Sequence, residues 1–368
     1  MKKTIFSLAL GALALTACTS EEVLNEGVQS NAIGFESAIK KQTRADASVG
    51  SGAISGDLTL KNLDKFCVYG FYTRENQTAN PIQVFGGDAV VKPAGGKWQY
   101  SSTRYWVPDA TYSFFAYSCG DVALDNNYGT VGLDLNATGA DRQLIISNYR
   151  ADALHQHDLI YAQQKDIKAL PKTESNPTPN ANVIFTFEHV LTKIDAIFTS
   201  DFSSDYDIVI KDVKIINFRN VGSFAKTKGW GTTPERVFAK NENTISMQMA
   251  FNTADGAGVA NSKQTPEQKP KTSAYYVLPY TYMTTDVQLT FTIELYKGPT
   301  HTQENLVLSR NMEGHWAPNW EQGYYYTYNI SLTGTVANLQ PIVFEVAQSM
   351  NDWKVGSSTA TDITFSAN

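Results

Sequence analysis

Ile33-Gly34-Phe35-Glu36-Ser37-Ala38-Ile39 places Ile33, Phe35 and Ile39 on one face of an extended chain, with Glu36 and then Lys40 on the other. A period of two with one apolar side is the pattern of a half-buried β-strand. Lys40, Lys41 and Arg44 follow at once, and an Ala/Ser/Gly stretch with little to bury runs on to Gly56. An isolated strand ahead of such a segment is easily removed once the segment is cut.

Strand signals recur outward from this point. Between Leu58 and Tyr161 they fall at Phe66–Tyr72, Ala89–Val91, Trp98–Tyr100, Tyr112–Tyr117, Leu144–Ile146 and Leu159–Ala162. Turn clusters such as Gly86-Gly87-Asp88 and Asp125-Asn126-Asn127 separate them. Leu170 to Asn182, with Pro171, Pro177 and Pro179, reads as a linker or domain boundary. Strands resume at Val183–Phe187, Lys193–Phe198, Ile208–Phe218, Thr244–Met249, Ala274–Leu278, Gln288–Tyr296, Tyr324–Leu332, Ile342–Val346 and Ile363–Phe365. Ala254 to Thr272 reads as a mobile surface loop. No long stretch keeps a helical period. The expectation is an all-β chain with two tandem β-sandwich domains, residues 45–178 and 179–368. A membrane β-barrel needs strands of about 9–11 alternating residues, and most runs here are shorter.

Composition agrees. The 368 residues are 42% hydrophobic and 18% charged, too apolar for a disordered chain, with 18 Phe, 19 Tyr and 6 Trp suited to strands. A net charge of −6 leaves no basic footprint for a polyphosphate partner, so nucleic acid is excluded as a partner class.

The first residues read as an address. Lys2 and Lys3 precede an apolar run from Ile5 to Leu15, too short for a permanent membrane span and proportioned as a signal peptide over residues 1–17. The run ends in Leu15-Thr16-Ala17-Cys18, which resembles the lipobox of bacterial lipoproteins, so Cys18 is expected to carry the lipid. Several acyl chains at about 0.8 kcal/mol per buried methylene hold stably where one is marginal. Thr19 stands where an Asp would favour inner-membrane retention, which points to the outer membrane; Glu21 and Glu22 resemble an acidic export tag. Of the remaining cysteines, Cys67 and Cys119, both a disulfide and two buried thiols are open.

Chemistry-bearing constellations are sparse. His155 and His157 share one face of an extended chain but lack a third nearby imidazole, and Asp201, Asp205 and Asp207 lack the Gly and terminal Glu of a calcium loop. His189 reads as a packed or capping residue, Trp98, Trp106 and Trp316 as core aromatics, and Trp230 as an exposed loop residue. No nucleophile elbow, phosphate loop or Cys/His pair is present. No catalytic residue, metal or cofactor is expected.

Several pieces, in order, are similar to the fimbrillin-like lipoproteins, the pilins of type V pili in Gram-negative anaerobes. They are the lipobox with Cys18, Asn31-Ala32-Ile33-Gly34-Phe35, Thr43-Arg44-Ala45, Tyr105-Trp106-Val107-Pro108 and Tyr112-Ser113-Phe114-Phe115-Ala116-Tyr117. Further along come Asp158–Ala162, Phe185–Ile194, Tyr276-Val277-Leu278-Pro279, Trp320–Tyr328 and Asp352-Trp353. The resemblance implies transthyretin-like sandwiches, lipoprotein export, and assembly with other pilin subunits into an adhesive surface fibre, stalk or tip. It also implies a cut between Arg44 and Ala45 by an arginine-specific protease, which releases residues 18–44 with the lipid. Ile33, Phe35 and Ile39 are then the removable strand of the first sandwich. The refilling donor strand is expected in residues 336–368, where Ile342, Phe344 and Val346, or Ile363 and Phe365, repeat the alternation. An outer-membrane glycan-binding lipoprotein and a pilus anchor are the alternatives; either needs only a tether and no cut at Arg44.

Overall fold

The computed structural model describes residues 31–39, 63–94, 96–120, 129–135, 142–152, 156–176, 179–200, 206–226, 229–231, 244–246, 258–260, 269–281, 287–297, 300–311, 319–332, 343–347 and 354–355. The chain is all-β. Among the described residues every regular element is a strand, and the strands form five sheets.

The largest sheet follows the order β1 (Phe35–Ile39), β9 (Val183–His189), β8 (Ile160–Lys168), β5 (Thr111–Ser118), β2 (Lys65–Thr73), β3 (Ile82–Val91) and β4 (Gln99–Tyr100). β1 lies parallel to β9; the other pairings are antiparallel. The sheet curls until its two edges meet, because Phe35 on β1 touches the rings of Phe85 on β3 and Tyr100 on β4. Ile33, Phe35, Phe66, Phe85, Phe114 and Phe185 fill the inside of the curl. Its outer face is covered by β13 (Gly229–Gly231), β12 (Val221–Ala225), β7 (Gln143–Arg150) and β6 (Thr130–Asp134), which set Leu144, Ile146 and Phe224 against Phe71, Phe115 and Tyr161. Phe114 and Phe115 thus serve opposite cores. That explains why β5 is buried almost throughout, as a strand covered on both faces must be.

A second pair of sheets forms a sandwich. One holds β16 (Tyr275–Val277), β10 (Thr192–Ser200), β21 (Tyr324–Leu332) and β22 (Val343–Ala347), with β23 (Lys354–Val355) also on β21. The other holds β14 (Thr244–Ser246), β11 (Tyr206–Ile216), β18 (Gln288–Lys297) and β19 (Thr300–Asn311), with β15 (Gly258–Ala260) also on β11. Ile194, Phe198, Tyr328 and Ile330 face Ile208, Ile210, Leu289 and Phe291 across the interior. A small ribbon, β17 (Tyr280–Thr281) with β20 (Asn319–Trp320), completes the set.

Sheet membership crosses the 178/179 line. β9 pairs with β8, and β12 pairs with β7, so strands from both sides share each sheet. The Pro/Asn-rich stretch joins two neighbouring strands of one sheet, closed by the Leu170 N–H to Asn180 Oδ1 bond of 2.8 Å and its return from Asn180 Nδ2 to Leu170 O. Its composition marks a loop, and a loop between sheet neighbours has the same composition as one between domains.

Three sequence expectations are corrected. Gly86-Gly87-Asp88 lies inside β3, where Gly87 adopts φ of +100° at an irregularity in the β2 pairing, so the glycines bend a strand without ending it. The 254–272 stretch contributes β15 to the edge of β11. Trp230, expected in a loop, lies in β13 opposite Phe224.

Candidate functional site: the cleft that holds the first strand

Asn31 to Ile39 changes partners halfway along. Its first residues bind the 104–106 segment: Ile33 N–H donates to Arg104 O at 2.8 Å, Trp106 N–H to Asn31 O at 3.0 Å, and Ala32 bridges Tyr105. At Gly34 the chain crosses to β9, whose Val183 N–H donates to Gly34 O at 2.8 Å, and Phe35 to Ile39 then pair with Val183 to Phe187. A Cβ on residue 34 would stand 2.1 Å from Asn182 Oδ1. Glycine therefore permits the crossing with Asn182 in place.

Phe35 enters a box of five rings. Phe185 stacks on it at 5.7 Å, while Phe66, Phe85, Tyr100 and Phe114 approach edge-on at 5.3–6.3 Å. Edge-to-face and offset pairs each add about 0.5–1.5 kcal/mol beyond area burial. Ile33 is 1% exposed and Phe35 4%. Burying each is worth about 1.5–3 kcal/mol by transfer.

Polar groups fix the rim. Tyr100 O–H donates to Ile33 O at 2.7 Å and accepts from Arg104 N–H at 3.1 Å. Burial raises the Tyr100 pKa, which keeps the phenol a donor. Arg104 is held in turn by Val84 O at 3.2 Å and Asp88 at 3.4 Å. On the solvent side Asn182 Nδ2 donates to Glu36 Oε1 at 2.9 Å, and Asn180 Nδ2 to Asn31 Oδ1 at 3.1 Å. With the strand gone, β9 would present a row of unpaired backbone groups beside an open apolar box, a template for another strand.

Of the residues expected to act, Ile33 and Phe35 line this cleft, and Ile39 pairs its backbone with Phe187. Phe344 and Val346 stand on β22, in register with Ile330 and Tyr328 at the edge of their own sheet. Cys18, Arg44, Ala45, Ile342, Ile363 and Phe365 lie outside the described residues, as do His155 and Trp316. Tyr100, Arg104 and Asn182 were not singled out as site residues from the sequence. They act on a segment distant in the chain, and no local pattern marks them; only the Gly between Ile33 and Phe35 hints at a close approach.

Away from the cleft, His189 is buried with Nδ1 3.1 and 3.0 Å from the two Asp158 carboxylate oxygens. Its carbonyl faces Gly323, whose φ is +73°, and the neighbouring Val190 N–H donates to Leu159 O at 3.0 Å. The ring thus belongs to the packing where β9 leads into β10. Trp106 is buried against Tyr112. Cys67 and Cys119 are free thiols.

A family model described as fimbrillin-like matches residues 43–353. No curated protein matches the sequence. Among solved structures, a candidate cell adhesion protein from Bacteroides ovatus ATCC 8483 is 16% identical, with 89% of this chain and 98% of that chain covered and a TM-score of 0.44. A candidate cell adhesion protein from Bacteroides uniformis ATCC 8492 is also 16% identical, covering 79% and 92%, with a TM-score of 0.42. The fimbrial anchor protein Mfa2 from Porphyromonas gingivalis is 11% identical, covering 82% and 90%, with a TM-score of 0.33.

Proposed function

The chain belongs to the fimbrillin-like family, and from that premise we propose that it is a fibre subunit whose first strand is a temporary occupant of its own cleft. It is exported as an outer-membrane lipoprotein through Cys18, cut between Arg44 and Ala45, and polymerised head-to-tail when a strand from another subunit refills the cleft. Its role is structural and adhesive, at the cell surface, without catalysis.

The observation that carries this reading is the construction of the Asn31–Ile39 segment. It supplies one edge strand and the centre of an aromatic core, yet it lies immediately before the basic Lys40, Lys41 and Arg44. The donor is proposed in residues 336–368, where Ile342-Val343-Phe344 and Ile363-Thr364-Phe365 repeat the spacing of Ile33-Gly34-Phe35. Exchange of this kind is heterologous and does not close, so it produces a filament.

The test is the N-terminal residue of subunits taken from surface fibres. Ala45 supports the proposal, and Arg44→Ala should then give uncut subunits and no fibres. Fibre subunits that still begin at Cys18 would refute it and favour an anchor.

A further inference from the structure

We propose that Tyr105, Leu170 and Ile184 form the seat on which a second copy of this chain rests when its strand occupies the cleft, an inference that rests on the donor-strand reading above. Among the described residues five large hydrophobic side chains are exposed, Ile82, Val91, Tyr105, Leu170 and Ile184. Ile82 and Val91 lie on β3, at its two ends. The other three come from separate parts of the chain, and each is linked to the Asn31–Ile39 segment.

Their grouping is built by polar links. Tyr105, 59% exposed, is bridged to Ala32. Leu170, 47% exposed, is tied through N–H and C=O to the Asn180 amide, which also donates to Asn31. Ile184, 49% exposed, is the second residue of β9 and sits in register with Glu36, whose carboxylate is held by Asn182. Tyr105 and Leu170 are thus tied to the start of the segment at Ala32 and Asn31, and Ile184 stands further along it at Glu36.

Strand direction says what covers them. β1 runs parallel to β9 from Val183 towards Phe187, so its N-terminal flank emerges at this rim. A strand that repeats the same parallel pairing emerges there too. Residues 336–368 come after β21 in the chain and include β22 and β23, which pair with it here. Once released they stay joined to the second sandwich at their N-terminal end, so the body attached to an incoming donor stands over Tyr105, Leu170 and Ile184. Apolar side chains clustered at such a point are what a subunit contact needs, whereas isolated ones call for no explanation.

The precursor and its variants are cut with an arginine-specific protease, and two quantities are followed: affinity for a synthetic peptide of residues 336–368, and filament growth by light scattering and electron microscopy. Tyr105→Ser with Leu170→Ser changes exposed side chains and keeps the Tyr105 backbone that bridges Ala32. It should bind the peptide within twofold of the native chain while filaments grow at least tenfold more slowly. Ile184→Ser should slow growth in the same direction, and Val91→Ser, an equally exposed site elsewhere, should not. Growth within twofold of native in the double variant with normal peptide binding overturns the seat and leaves the donor-strand reading standing. Loss of peptide binding in the double variant also overturns it, since these residues would then belong to the cleft itself. A native cut chain that neither binds the peptide nor grows overturns both.

Discussion

Phe35 and Phe185 stack face to face, 5.7 Å between centroids and 12° between planes, on two parallel strands brought together across most of the first half of the chain. Four further rings close on Phe35 from β2, β3, β4 and β5, and all of them belong to segments that lie beyond Arg44. Loss of the segment before residue 45 would remove the central ring and leave the box.

Phe35→Ala should therefore lower the stability of the uncut chain by about 3–5 kcal/mol, the usual cost of deleting a buried phenyl group. Phe35→Asp should cost more, because it places a charge among rings that offer it no partner. Ile184→Ser, on the exposed face of the neighbouring strand, should stay within about 0.5 kcal/mol. Urea unfolding of the three variants measures all of this, and an unchanged midpoint for Phe35→Ala would contradict the placement of the ring.

Gly34→Ala tests the crossing point. The three atoms nearest the new Cβ all belong to the Asn182 side chain, so Asn182 has to swing aside and release Glu36. The expected cost is about 0.5–1.5 kcal/mol, the value of one net hydrogen bond. In an Asn182→Ala background the same substitution should be close to neutral. A double-mutant cycle on urea midpoints reads the coupling, and equal costs in both backgrounds would show that Asn182 does not set the need for glycine.

The strand from Ile33 to Ile39 was legible because a half-buried edge strand writes its alternation locally. Its partner was not. Pairing with β9 is a relation between residues nearly 150 positions apart, and parallel register leaves no signature in either strand alone. β5 was legible as a run of aromatics, but the two cores it serves were not. β19 escaped notice since Thr300-His301-Thr302-Gln303-Glu304-Asn305 is polar on both faces, and only its pairing with β18 defines it as a strand. The clamp at Tyr100 was hidden for a related reason: the residue read correctly as part of a strand, while its hydroxyl serves a carbonyl at position 33.

Cys67 and Cys119 should behave as two inert thiols. Cys67 stands in register with Tyr117, and Cys119 lies two residues further along, on the same side. Diagonal neighbours of this kind are about 7–8 Å apart between Cα atoms, beyond the usual reach of a disulfide. Burial pushes the thiol pKa of both upward, that of Cys119 strongly, so the reactive thiolate is scarcer than in a free cysteine at the same pH. A thiol reagent at pH 8 should label Cys67 slowly and Cys119 only after unfolding. Rapid labelling of Cys119 in the native chain would argue against its burial.

The pH dependence of stability should carry the mark of Asp195. This residue lies on β10, fully enclosed, in parallel register with Thr327, and the Tyr325 O–H donates to its Oδ2 at 2.5 Å. Burial lifts its pKa above the ordinary 3.8, and hydrogen bonds from Tyr325 and Thr327 together with the charges of Lys193 and Lys271 pull it only partly back. With the folded value above the unfolded one, the carboxyl favours folding in its protonated form. That contribution is complete below about pH 3.8 and is lost as pH rises through the folded value, by about 1.4 kcal/mol per unit between the two. Asp195→Asn keeps the shape and an acceptor for Tyr325 but has no proton to lose. The variant should therefore gain on the native chain as pH rises above 4, and the gain should level off once the native carboxyl is ionised. Urea unfolding of both proteins at half-unit steps from pH 4 to 8 gives the difference directly. A flat difference across that range, or one that grows in favour of the native chain, would mean that Asp195 is ionised at no cost and that its burial is compensated by groups other than these four.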